Sequence, residues 1–326
     1  MEHSRIQPMA GEGWRALIRS ATRAPSSHNT QPWRFRVEDG GVTVYADPER
    51  RLPVNDPADR ELTISGGCAL MNLRVAAAAA GYAYRLESLP QGERASCLAR
   101  LVWQDGEPDA EEVNLAPAID RRWTCRQLFR PTPIAQEAVE AFMATADQEG
   151  ARLQLVEPGE MRLEVARLVA QGDALQWRDR EWRAELAGWI RSRRGGDGLT
   201  VPAAIAPFAR AAVRGFDMGR RLGAHDRKLA EDAPRLIALC TEGDGRLDWL
   251  RAGQALERVL LAASQLGLQA SYLNQPIQVA SLRPRLRAAL GDPGHPQVLL
   301  RLGYPQREPP APTRRPVDDV IDPAGG

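Results

Sequence analysis

Two long apolar stretches of this chain read as copies of one another. GCALMNLRVAAAAAGY begins at Gly67 and GQALERVLLAASQLGL at Gly253. Aligned without gaps, Gly67/Gly253, Ala69/Ala255, Leu70/Leu256, Ala76/Ala262, Ala77/Ala263 and Gly81/Gly267 are identical. Chance between two alanine- and leucine-rich helices would account for the identities alone. It does not account for both stretches ending in glycine and feeding a strand, nor for a shared small-residue face suited to close helix contact. The pattern predicts two diverged copies of one α+β unit, divided near residue 110. The units expected are 12–110 and 111–305, the second with a helical insertion at about 173–216. An extended, proline-rich arm, 306–326, follows.

The remaining elements fall around this frame. A short amphipathic helix at 12–23 stops before Pro25. Strands WRFRV and GVTVYA are joined by a turn at Asp39–Gly41, and a long helix runs from about Ala58 to Ala80. Strands are expected around Leu86 and Leu101, then RLIALCT, a helix near Trp249–Leu266, LQASYL and QVLLRLGYP. In the insertion, Trp182 and Trp189 are seven apart and fall on one helical face. An amphipathic helix packed on the core is the simpler reading. A mobile cap hinged at GGDG, Gly195–Gly198, is the functional one.

Composition excludes several classes. With 43 basic against 42 acidic residues the net charge is +1, which argues against a nucleic-acid binder working by bulk charge. MEHSRIQPMA has no apolar signal region, and no apolar run is expected to approach a bilayer span, so a cytoplasmic protein without a membrane partner is expected. The four cysteines form no CxxC pair and read as reduced thiols. The four histidines are scattered, which speaks against a metal site.

Ala24–Trp33, APSSHNTQPW, is a stiff loop of neutral donors and acceptors. Pro25 and Pro32 pin its backbone, and Gln31, preceding Pro32, is expected to be extended. Ser26, Ser27, Asn29 and Gln31 suit a neutral ring edge of alternating C=O and N–H groups. His28 is expected to face solvent or bond locally. In DRRWTCRQLF, Arg122, Thr124 and Arg126 alternate, so an extended backbone would converge them as a phosphate site. A solvated basic patch is the alternative. TRRPVDDV adds Arg314 and Arg315. No GxGxxG follows a strand, and there is no Walker loop or GxSxG elbow.

These residues carry a resemblance. APSSHNTQPW resembles the flavin-contacting loop of the nitroreductase superfamily, and RWTCR is similar to its RxSxR phosphate motif. LGYP followed by TRRPVDDV resembles its basic C-terminal arm. With GLQASYLNQP after the second long helix, the order looks most like the Acg-type FMN-binding branch, which implies a tandem pseudo-dimer with antiparallel-type sheets flanked by long central helices. The resemblance implies that Pro25, Ser26, Ser27, Asn29 and Gln31 contact the flavin, that Arg122, Thr124 and Arg126 hold ribityl and phosphate, and that Arg314 adds a phosphate contact. Asn274 and Gln275 would lie near the N5 side. Trp123 departs from the family pattern, leaving Arg121 or Arg315 to compensate. The implied activity is hydride transfer from NAD(P)H through FMN to a quinone or nitroaromatic, with no catalytic side chain. One FMN would sit at the seam of a monomer or weak homodimer. The alternative is a flavin-storage protein, capped and with little turnover.

Overall fold

The computed structural model describes residues 11–38, 40–192 and 195–322. The N-terminal stretch 1–10, Asp39 of the expected hairpin turn, and the end of the arm lie outside the described residues. In chain order the elements begin with α1 (Gly11–Ala21), β1 (Trp33–Glu38), β2 (Gly41–Ala46), α2 (Arg60–Ala79), β3 (Ala83–Ser88), β4 (Cys97–Gln104) and α3 (Ala110–Leu115). Next come α4 (Gln136–Gln148), β5 (Arg152–Leu155), α5 (Glu160–Arg178), α6 (Arg180–Gly188), β6 (Ile190–Ser192), β7 (Leu199–Val201), α7 (Ala206–Gly215) and α8 (Gly219–Glu231). The chain closes with β8 (Arg235–Thr241), α9 (Arg246–Gln265), β9 (Gln269–Tyr272), α10 (Gln275–Gln278), α11 (Arg283–Ala289) and β10 (His295–Gly303).

Two four-stranded sheets share one topology. Their orders are β1-β2-β4-β3 and β5-β8-β10-β9, every neighbour antiparallel. In each, the long helix α2 or α9 connects the second strand to the third. Both helices stop at aligned glycines, Gly81 at φ 86° and Gly267 at φ 75°, in the left-handed conformation that glycine adopts without strain. The fold is thus α+β, with the expected sheets and central helices.

α2 and α9 pack backbone to backbone at their aligned first glycines. A Cβ on Gly253 would lie 2.1 Å from the Ile64 carbonyl oxygen and 2.8 Å from the Gly67 Cα. Around this crossing, Leu70, Leu73, Leu256 and Leu260 join Phe35, Val44 and Leu101 of the first sheet to Leu239 and Leu300 of the second in one core. α2 is long and apolar enough to cross a membrane, contrary to the expectation that no run would approach that length. Most of it (89 % of the window) is buried in this core instead.

The second sheet is covered on its other face too, where Val165 and Leu168 of α5 and Leu286 of α11 pack on Leu236 and Leu299. This double burial explains the unbroken apolar run of RLIALCT. A smaller cluster of Trp177, Trp182, Leu186 and Val213 holds α6 and α7 together. α6 ends at Gly188, so Trp189 is its C-cap; it lies outside the cluster that holds Trp182, with Arg50 and Arg191 over its ring.

Replacing a mid-helix glycine by alanine ordinarily gains about 1 kcal/mol. At Gly67 or Gly253 the sign should reverse, because the new methyl meets backbone that cannot rotate away. Gly253→Ala is expected to destabilise by about 1–3 kcal/mol in urea unfolding, and a gain in stability would contradict the crossing described.

Candidate functional site

A cavity of about 900 Å³ opens at the seam of the two halves. Pro25–Asn29 and Glu61 of α2 line it from the first half; Thr124, Arg126, Gln127, Ser271–Gln275 and Arg301 line it from the second. The arm, Pro309–Arg314, and Gly198–Val201 close over it, with Asp173 of α5 and Asp226 of α8 at one side.

The loop is shaped by left-handed backbone at residues that are not glycine. Ser27–Asn29 form one 3-10 turn, and His28, Asn29 and Gln31 have φ of 51°, 56° and 52°. Gln31 is therefore not extended. Its tertiary bonds override the local bias of Pro32: its backbone N–H donates to Ser26 Oγ at 2.9 Å, and its Nε2 to the Gly196 carbonyl at 2.8 Å. Its Oε1 accepts from the Arg315 backbone N–H at 2.9 Å. Gln31 is wholly buried behind the loop and does not line the cavity.

The GGDG segment grips this loop and is not a free hinge. Gly198 N–H donates to the Asn29 carbonyl at 3.1 Å. A Cβ on Gly196, at φ 70°, would lie 2.5 Å from the Arg314 carbonyl oxygen. Between them the buried Asp197 pairs with Arg50 and with Arg191.

The arginines separate into different roles. Thr124, bridged to Ala270 of β9, and Arg126 both line the cavity. Arg126 has no hydrogen bond or ion pair among the described residues. Arg122 does not converge with them as alternation implied. It is buried, donates to the Arg23 carbonyl at 2.7 Å, and has its Nε 3.0 Å from Glu257 of α9. Arg314 lines the cavity, but its guanidinium donates to Thr22, Arg23, Ala24 and Thr313 carbonyls and to Asn29 Oδ1. Burial, then the neighbouring cations Arg122 and Arg23, push its pKa down to about 9. Arg315 stays outside the cavity, bonded to Asp319 and facing Asp47.

Other expected residues reach the cavity partly engaged. Ser27 donates to Glu61 at 2.5 Å. Asn29 Nδ2 donates to the Thr313 carbonyl at 3.2 Å. Asn274 Oδ1 accepts from the Leu299 N–H at 2.9 Å. Gln275 Nε2 donates to Asp226 at 2.7 Å and to Asp173 at 3.3 Å.

Several wall residues were missed in the sequence. His28 lies in the wall and not in solvent, and burial lowers its pKa to about 4, against the opposing pull of Glu61. Five polar atoms on this wall are buried without a hydrogen-bonding partner among the described residues: His28 Nε2, Tyr272 Oη, Gln275 Oε1, Arg301 Nε and Thr313 Oγ1. Buried polar groups are ordinarily satisfied, so such a concentration marks a place built for a polar ligand. Arg301, 1 % exposed, did carry a signal: a lone charge inside the apolar strand QVLLRLGYP. Tyr272 and Asp173 carried none.

Comparison with known proteins places this geometry in context. The profile of the nitroreductase family matches residues 119–304. The Mycobacterium tuberculosis protein Rv3131, whose name assigns it to NAD(P)H nitroreductases, is 35 % identical over 94 % of this chain and 90 % of its own length. The similarly named acg protein of the same organism is 30 % identical over 94 % of each. An iodotyrosine deiodinase solved with FMN and 3-iodo-L-tyrosine aligns with 62 % of this chain and 95 % of its own, at 15 % identity and TM-score 0.42.

The acids beside the cavity give a pH signature. Burial, reinforced by Asp226, pushes the Asp173 carboxyl up to about 7. The folded chain thus keeps a proton that the unfolded chain releases near pH ~4. Stability from this group is full below that value and is lost as pH rises through about 7. Asp173→Asn should therefore stabilise the ligand-free protein by on the order of 2 kcal/mol near pH 8 and by little near pH 4. Urea unfolding across that range checks it; an equal effect at both ends would refute the assignment. His28 works in the opposite sense: its contribution is present above its ordinary value and lost as pH falls through about 4.

Proposed function

The chain belongs to the nitroreductase family, and we propose that it binds one FMN non-covalently in the seam cavity and passes reducing equivalents from NAD(P)H to a planar, electron-poor acceptor such as a quinone or nitroaromatic. The observation that carries this reading is the cavity wall, where an unpaired guanidinium, Arg126, faces the same space as five unpartnered buried polar atoms. Neutral donors and acceptors suit a ring edge, and the lone cation suits a phosphate. Bound there, FMN supplies the redox chemistry by accepting a hydride and giving up two electrons.

The chain's own residues bind, orient and exclude water. Pro25 shapes the loop. Ser26 accepts from Gln31, which leaves its hydroxyl proton for the ligand. Ser27 donates to Glu61, which leaves its lone pairs to accept. Thr124 and Arg126 hold the charged end. Asn274 and Gln275 border the side open to substrate. Gln31, Arg122 and Arg315 act behind this surface, while Asn29 and Arg314 line the cavity with their polar groups largely occupied by the protein partners described above. We further read residues 12–110 and 111–305 as tandem units and 306–326 as an arm, so that the main interface is internal and the chain acts as a monomer.

A single site per chain follows from how the copies diverged. Glu257 of α9 is buried beside Arg122, behind the cavity wall. Its aligned partner on α2 is Met71, packed with Val75, Leu115 and Ile119 in an apolar cluster. Only one side of the seam retains polar chemistry in this pair of positions. Flavin released on denaturation should approach one per chain. Arg126→Ala should weaken FMN roughly 10- to 100-fold, since hydrogen bonds to charged groups contribute about 1.5–3 kcal/mol. A ratio near two, or unchanged affinity in a fluorescence titration, would sink this assignment.

One observation favours the second reading, storage with little turnover. The strap of β6, GGDG and β7 is tied to the flavin loop through Asn29 and Gln31, and to Arg50 through Asp197. Asp197→Ala should loosen it and speed flavin reduction by NADH or NADPH in stopped flow. If the intact protein already reduces rapidly and the variant matches it, the storage reading fails.

A further inference from the structure

The most exposed large apolar side chains among the described residues are Phe208 (76 %), Phe216 (67 %) and Ile205 (53 %). All three belong to α7 or its immediate ends. Pro207, Phe208 and Ala211 fall on the outward side of this helix, while Ala206 and Val213 turn inward. The apolar surface is thus not a leftover of core packing, because α7 buries a different side. α8 follows directly. Its buried side is Gly219, Gly223 and Leu229, with Gly219 and Gly223 against α5. Its outward side carries Arg220, Arg221, Arg227 and Lys228, all exposed. Acids are fewer on this outward side: Asp226 turns to the cavity wall, Glu231 pairs with Arg227, and the exposed Asp217 and Asp232 lie just beyond the two ends of the helix, which leaves the four cations of α8 and the exposed Arg214 before it in excess. In a chain with net charge +1, this is a local segregation of charge beside an apolar patch.

We propose that α7 and α8 form a peripheral docking face for an anionic lipid bilayer. The phenyl rings of Phe208 and Phe216 and the Ile205 side chain enter the boundary between headgroups and acyl chains. Arg220, Arg221 and Lys228 meet the anionic headgroups. Interfacial helices have this composition, with aromatic and aliphatic residues beside a basic face. Charge complementarity selects the lipid over a second copy of the chain. A two-fold contact through this patch would bring the two basic faces together. The proposal departs from the expectation of no membrane partner, which rested on whole-chain charge and on spanning segments; a surface-bound helix shows in neither. α8 also supplies Asp226 and Leu229 to the cavity wall. Docking would therefore bring lipid beside the cavity, where a lipophilic quinone could enter. That consequence rests on the proposed function; the docking does not.

The test is flotation of the full chain with vesicles of phosphatidylglycerol mixed with phosphatidylcholine, and with phosphatidylcholine alone. Binding is expected to the anionic vesicles, and to weaken as salt is raised. Phe208→Ser with Phe216→Ser should lower partitioning about 10-fold or more. Arg220→Glu with Arg221→Glu should lower it by at least roughly fivefold for each cation lost. All four positions are exposed, so an unchanged Tm checks the fold of each variant. The proposal is overturned if the parent ignores anionic vesicles, binds both kinds equally, or is matched by the variants. It is also overturned if sedimentation velocity shows a dimer that the phenylalanine changes dissolve, which would make the patch a contact between copies. FMN titration of the same variants should be unchanged, which keeps a failure here distinct from a failure of the flavin reading.

Discussion

The backbone contact of α2 and α9 at Gly67 and Gly253 is the constraint on which the rest of the molecule depends. Any side chain at Gly253 would strike the Ile64 carbonyl. With none, the helices approach until the Cys68 thiol reaches the Gly253 carbonyl oxygen at 3.2 Å. That spacing sets the distance between the two sheets, and with it the width of the seam. Farther along the pair, Arg74 bonds Glu112, Glu149 and Gln254, while Arg258 bonds Glu149 and Glu111. Each buried charge in this network meets an opposite one, which is what allows polar residues so near a tightly packed crossing.

The seam explains why a polar cavity coexists with a dense core. Where the halves meet through leucines, the space is filled. Where Glu257, Arg122, Tyr272 and Cys68 come together, desolvation dominates: it raises the Glu257 carboxyl and the Cys68 thiol, and the cation of Arg122 opposes it in both. Beyond this layer the wall opens to Arg126, Thr124 and the loop. Arg314 and Gln31 then fasten the arm and the strap to the loop, so three segments distant in sequence depend on a few directed bonds. Loss of any one should disturb the others, as expected for a connected network of buried polar groups.

What the sequence made legible follows physical range. The paired helices, their glycine stops and the strands around Leu86, Leu101, RLIALCT and QVLLRLGYP were readable because periodicity and backbone freedom are local. The loop stood out because its residue types are unusual for a surface, and it lines the cavity. Its conformation was not: three left-handed residues depend on Gly196, Gly198 and Arg315, which local rules cannot see. His28 was misplaced for the same reason, since its burial comes from the walls around it.

The basic constellations show where pattern reasoning stops. Alternation in RWTCR correctly put Thr124 and Arg126 on one wall, yet Arg122 turned to the carboxylate of Glu257, residues away in another helix. An arginine follows the nearest uncompensated charge more than the pleat of a short extended segment, because burying Glu257 alone would cost several kcal/mol. Whole-chain charge misleads in a related way. A sum of +1 is compatible with complete mixing of charges or with separation into faces, and α8 belongs to the second case. Composition constrains what a chain can do in bulk solution; the placement of each charge decides which surfaces and ligands it meets.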